Sequence, residues 1–178
     1  MIASPPAAPS APTSPAPWDK AIAIVGPSNS GKTELICRLL EWFTGQGLRP
    51  AVLKHSHHQE IGDNGKDTWR YRQAGGWLVA LAAPGLIQIT RSGPGEPPLQ
   101  MILAELAQAA DLILVEGYKT SDLPKVGLAP LDAASKLPDY PHLVAWVSAW
   151  PLPTDLPVFN PRQVAELGRF IQDQLRCR

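Results

Sequence analysis

The sequence predicts an α/β, three-layer fold: a mostly parallel sheet covered by helices on both faces. Three observations predict it. The apolar run Ala21–Val25 leads straight into GPSNSGKT at 26–33 and then into a helical pattern. Apolar runs of strand length alternate with helical stripes, the signature of βαβ units. The most apolar strand, 112–115, ends on an acid, Glu116.

Residues 1–17 hold six prolines and no charged residue. Such a segment cannot bury enough apolar surface to offset its ordering entropy, so it reads as a disordered tail ahead of one domain at 18–178. After the strand at 21–25, Leu35, Ile36, Leu39, Leu40 and Phe43 recur at helical spacing over 33–45, and Gly45 and Gly47 end the helix. A strand at 50–54 follows. The next stretch is polar and irregular, then helical over 67–74, where Gly75 and Gly76 stop it. Strands are expected at 77–81 and 86–90. A helix over 97–110 presents Leu99, Ile102, Leu103 and Leu106. Beyond Glu116 the periodicity of 118–140 is too weak to assign. A strand at 143–147, a proline-rich loop at 151–157 and a short strand at 158–159 complete the sheet. Asn160-Pro161-Arg162-Gln163 then has the form of a helix start, with a capping Asn, Pro at the first position and Gln at the third. The last helix presents Val164, Leu167, Phe170 and Ile171.

G-x-x-x-x-G-K-T between a strand and a helix is a phosphate-binding loop, which makes the fold that of a P-loop NTPase. Its backbone N–H groups cradle phosphate oxygens at the positive end of the helix. This places Gly26, Ser28, Asn29, Ser30 and Gly31 around a triphosphate. Lys32 reaches the β- and γ-phosphates, and the Thr33 hydroxyl faces Mg²⁺. Glu116, at the end of an apolar strand, is either the carboxylate on the Mg²⁺ side or a solvated strand-end acid. Lys54-His55-Ser56-His57-His58 follows the second strand on the same rim. Its three histidines fit a transition metal, contacts to a phosphate or pterin, or an exposed turn. Asp63, Lys66 and Asp67 form a second polar cluster, able to meet Mg²⁺ or the γ-phosphate. Asp67 equally suits a helix N-cap. Lys119 and Lys125 are substrate-anion contacts or surface lysines. For the base, Val147-Ser148-Ala149-Trp150 stands where many GTPases carry Asn-Lys-x-Asp and offers little to read guanine, and Asn160 is a weak substitute.

The 16 basic residues balance the 16 acidic ones, which gives no basis for non-specific contact with nucleic acid or membrane. Cys37 and Cys177 are too far apart in sequence for a Cys-x-x-Cys metal site. No secretory signal or membrane-spanning run is present, so a reducing cytoplasm is expected.

Four motifs in order, GPSNSGKT, KHSHH, DNGKDTWRYRQAGG and DLILVEGYK followed by Pro124-Lys125, resemble the MobB family of molybdopterin-guanine dinucleotide biosynthesis adapter proteins. The resemblance implies a GTP- and Mg²⁺-binding, weakly GTP-hydrolysing homodimer of the signal-recognition-particle-like branch. It would assist a molybdopterin guanylyltransferase and face that partner or the molybdopterin cofactor. It puts Gly26, Ser30, Gly31, Lys32 and Thr33 on the phosphates and Glu116 on the Mg²⁺ side. His55, His57, His58, Asp63, Lys66 and Asp67 would line the adjoining rim. The chain departs from the family after Pro124-Lys125, where VGLAPLDAASK lacks the usual arginine. The rival readings are a GTPase metallochaperone for nickel or zinc, using the three histidines, and a small-molecule kinase.

Overall fold

A computed structural model describes residues 16–56, 62–130 and 136–176. The proline-rich segment expected to be a disordered tail falls outside these residues except at its last two positions. His57 and His58 lie outside them as well.

A single 3-10 turn at Pro17–Lys20 leads into β1 (Ala21–Val25), then α1 (Lys32–Gly45), β2 (Pro50–Lys54) and α2 (Asp67–Gln73). After these come β3 (Leu78–Ala83), β4 (Leu86–Arg91), α3 (Leu99–Ala107), β5 (Leu112–Glu116) and β6 (Lys125–Leu128). The chain ends with β7 (Leu143–Val147), β8 (Val158–Phe159) and α4 (Val164–Arg176). Six strands form one sheet in the order β2-β5-β1-β6-β7-β8, every neighbouring pair parallel.

Side chains alternate between the faces of a strand, and the core divides accordingly. Ile22 and Ile24 of β1, with Leu112, Leu114 and Val126, face Leu35, Ile36, Leu39 and Phe43 of α1 and Leu167 and Ile171 of α4. Ala21, Ala23 and Val25, with Ile113 and Val115, face Leu103 of α3, Leu123 and Trp146. Burial on both faces is why β1 and β5 read as unbroken apolar runs rather than alternating ones. The α1–α4 contact is very close: a Cβ on Gly168 would come within 2.3 Å of the Trp42 ring.

The structure corrects the sequence reading at four places. The strands expected at 77–81 and 86–90 do not join the parallel sheet. As β3 and β4 they make a separate antiparallel hairpin, because the short turn between them returns the chain directly alongside itself. The unassigned stretch contains β6, which lies in the middle of the sheet between β1 and β7. Lys125, read as an anion contact or a surface lysine, is neither. It is fully buried, and its ammonium donates to the carbonyls of Ser121 and Leu123. Asp67 is the first residue of α2 rather than its cap: Lys66 holds the cap position without a side-chain bond, and Asp67 pairs with Arg70 at 3.9 Å.

At 160–163 the expected side-chain bonds are present, although α4 itself begins only at Val164 rather than at Pro161. The Asn160 N–H donates to Gln163 Oε1 at 2.7 Å and the Arg162 N–H donates to Asn160 Oδ1 at 3.0 Å, one turn ahead of α4. They close a turn that precedes the helix rather than capping it.

Candidate functional site

The loop between β1 and α1 takes its shape from a few positions. Asn29 adopts a left-handed conformation at φ 58°, which Asn tolerates better than most residues. A Cβ on Gly26 would lie 2.8 Å from Ser30 Oγ and 3.1 Å from Leu128, so only glycine lets the loop close over the sheet. Gly31 holds the N-cap of α1 and supplies no side-chain bond to the first turn. The first N–H groups of α1 therefore stay open toward whatever sits above them, the condition for holding an anion.

Two charged groups face that opening. Lys32 Nζ donates to the Pro27 carbonyl at 2.5 Å, spanning the loop. Burial lowers the Lys32 pKa; Glu116 opposes that effect, and Lys119 and Lys54 reinforce it. Parallel register sets Glu116 of β5 beside Ile24 of β1 and Lys54 of β2. There Glu116 Oε2 accepts from the Thr33 hydroxyl at 3.2 Å, and Oε1 lies 3.4 Å from Lys54 Nζ. A hydroxyl and a carboxylate at this separation form a hard oxygen pair of the kind Mg²⁺ takes, leaving its other positions to water and phosphate. The residues present fit a nucleotide and its cation.

These groups line a cavity of about 950 Å³, together with Gly26, Ser28, Asn29, Gly31, His55 and Lys119. Ser30 lies beneath the loop, its Oγ buried without a hydrogen-bond partner among the described residues. The second polar cluster is not at this cavity. Asp63 is buried and bonded to Arg72 at 2.5 Å and to the Thr68 hydroxyl at 3.3 Å, which ties the loop before α2 to its body. Lys66 is exposed and donates its backbone N–H to the Asp63 carbonyl. Among the described residues, no group of three or more His, Cys, Asp or Glu is placed to hold a metal ion by itself.

Several lining residues were not singled out from sequence. Glu96, in the loop before α3, reaches His55 Nε2 at 3.0 Å. Tyr118 stacks on His55 with ring centroids 4.4 Å apart. Glu96 belongs to no motif, whereas Tyr118 falls inside DLILVEGYK without having been given a role there. A second hollow of about 230 Å³ opens on the other side of the start of α1, at the carboxyl ends of β6 and β7. Its walls include Leu128, Val147, Ala149 and Trp150, with Arg38 at the edge. The stretch 147–150, which seemed to offer little as sequence, thus forms a slot beside the phosphate loop. The Ser148 hydroxyl braces its turn, donating to the Trp150 carbonyl at 2.7 Å.

Comparison with known proteins agrees with this architecture. The family model described as Molybdopterin guanine dinucleotide synthesis protein B matches residues 21–149. A molybdopterin-guanine dinucleotide biosynthesis adapter protein of Haemophilus influenzae is 31% identical over 157 residues, covering 86% of this chain and 88% of the relative. The Escherichia coli protein of the same name is 29% identical over 163 residues, covering 87% and 93%. Among solved structures, a MobB homolog from Bacillus stearothermophilus superposes with a TM-score of 0.67 at 26% identity, covering 89% of this chain and 99% of its own. Nothing in these relatives supports the metallochaperone alternative. With a family model spanning most of the chain and a relative of this identity and coverage, the chain belongs to the molybdopterin guanine dinucleotide synthesis protein B family.

Proposed function

We propose that this chain is a GTP- and Mg²⁺-binding adapter in molybdopterin-guanine dinucleotide biosynthesis, serving a partner guanylyltransferase. The observation that carries the reading is the Thr33–Glu116 contact at 3.2 Å, with Lys32 alongside and the uncapped start of α1 beneath. The open N–H groups and Lys32 hold the β- and γ-phosphates, and Thr33 and Glu116 hold Mg²⁺. Bound Mg²⁺ supplies charge neutralisation between those phosphates.

The base and ribose belong in the hollow at the ends of β6 and β7, which adjoins the loop at Ser30 and Gly31. Apolar walls suit a planar ring. Among the described residues lining the phosphate cavity there is neither arginine nor glutamine, which supports slow hydrolysis and a binding role. His55 and Lys119 line the same cavity and serve the anionic ligand. Asp63 is committed to Arg72 and Thr68 and leaves Lys66 and Asp67, both exposed, for contact with a partner or cofactor. No helix among the described residues is long and apolar enough to cross a membrane, in keeping with a cytoplasmic role. The chain acts as a homodimer joined through the β3–β4 hairpin.

Titration with GTP and ATP, with and without Mg²⁺, tests the reading. Mg²⁺-dependent preference for GTP is expected, and a clear preference for ATP would overturn the assignment. Lys32→Ala should weaken GTP binding roughly tenfold to a hundredfold, from ~1.5–3 kcal/mol for hydrogen bonds to a charged group.

A further inference from the structure

The phosphate cavity is larger than its loop requires. At about 950 Å³ it lies near the top of the roughly 300–1,000 Å³ range of small-molecule sites, and the hollow assigned to the base is separate from it. Its far end is built around one carboxylate. Glu96 Oε1 lies 3.0 Å from His55 Nε2, and Tyr118 lines the cavity beside them. The Tyr118 and His55 rings stack at an interplanar angle of 29°, which holds the imidazole in place.

The imidazole is fixed and the carboxylate is not. The His55 N–H donates to the Glu116 carbonyl at 2.9 Å, and Gly117 and Tyr118 both hold left-handed conformations, at φ 103° and 49°. Glycine takes such a conformation freely, but Tyr118 is strained there, and such strain gathers at ligand sites. The His55 side chain is 19% exposed against 58% for Glu96, which arrives on an irregular loop, 92–98. Lys54 and Lys119, next in sequence to His55 and Tyr118, line the same cavity. An imidazole held by a stacked phenol and flanked by two cations makes a receptor for an anion, and the chain's own carboxylate fills it.

We propose that His55 and Tyr118 form a second anion subsite beside the phosphate loop, specific for a phosphomonoester, and that Glu96 holds the place until this ligand displaces it. The proposal rests on the nucleotide reading only in giving the loop end of the cavity to the triphosphate.

The test separates the two sites. Lys32→Ala weakens the loop as an anion site, and in that background inorganic phosphate and phenyl phosphate are titrated calorimetrically into the full chain. Adding Glu96→Gln should tighten both at least tenfold, and Glu96→Ala should do the same. Adding His55→Ala to Glu96→Gln should erase the gain. Glu34→Gln removes another carboxylate lining the cavity and should change affinity less than threefold. No gain on removing Glu96, or an equal gain from Glu34→Gln, overturns the proposal. Binding of inorganic phosphate with exclusion of phenyl phosphate overturns the monoester assignment. Nucleotide affinity of the unmodified chain is measured in parallel, so failure of the GTP reading shows separately.

Discussion

The Thr33 hydroxyl and the Glu116 carboxylate meet at 3.2 Å although 83 residues separate them. Adjacent parallel strands create the meeting: β1 delivers Thr33 through the loop, and β5 carries Glu116 in register with Ile24. If this pair holds the cation, then Glu116→Gln and Thr33→Val should lower GTP affinity in Mg²⁺ at least tenfold. Affinity measured in EDTA should not fall comparably, since the lysine and the loop amides remain and Glu116→Gln only removes a negative charge from beside them. Equal losses with and without the cation would assign the pair to general loop structure.

Gly168 faces Trp42 where α4 crosses α1, with room for hydrogen only. Helix propensity favours Ala over Gly by about 1 kcal/mol, whereas overpacking costs about 1–3 kcal/mol. A 2.3 Å approach to a bulky indole ring decides for overpacking. Gly168→Ala should therefore destabilise the chain by about 1–2 kcal/mol in urea unfolding. Adding Trp42→Leu should recover part of that loss relative to Trp42→Leu alone, because the smaller side chain clears the new methyl.

The phosphate loop, Lys32, Thr33 and Glu116 were legible because their signal is local: a motif between a strand and a helix, and an apolar run ending in an acid. Glu96 was not, since its meaning comes from a contact with His55 across the fold, out of a loop of Pro and Gly. β6 was hidden for a related reason. Its four residues begin with a lysine and include a glycine, and what makes them a strand is β1 and β7 on either side. Asp63 reads as a rim acid in Gly-Asp-Asn-Gly until Arg72, one helix later, is seen to claim it.

Lys125 makes a pH-dependent contribution. Burial lowers its pKa below 10.5, with Asp122 acting weakly the other way. Between the lowered folded value and 10.5 the unfolded chain binds more protons than the folded one. Stability gains from this group as pH rises through that window, and the group contributes no slope at pH values well below it. Unfolding free energies of the native chain and Lys125→Met, measured from pH 7 to 10.5, should therefore shift in favour of the native chain toward the alkaline end. A difference that is flat across the window would mean that the ammonium is solvated.

The β3–β4 hairpin is apolar on both sides. By register, Leu78, Ala80, Ala82, Ile87 and Ile89 share one face and Val79, Leu81 and Leu86 the other. Only Val79, at its root beside α2, is buried; Leu81, Leu86, Ile87 and Ile89 are 50% to 73% exposed. An isolated two-stranded hairpin is marginal in water, and so large an apolar surface marks an interaction site. A second copy of the chain suits it because the two hairpins can cover each other by a two-fold axis and pair along their free edges. Sedimentation of the native chain should give a dimer at micromolar concentration. Ile87→Asp, which places a charge in that face, should yield a folded monomer with GTP affinity within about threefold of the native value, since Ile87 does not line the phosphate cavity. A native chain that sediments as a monomer at tens of micromolar would remove the homodimer and leave the hairpin as the docking surface for the guanylyltransferase.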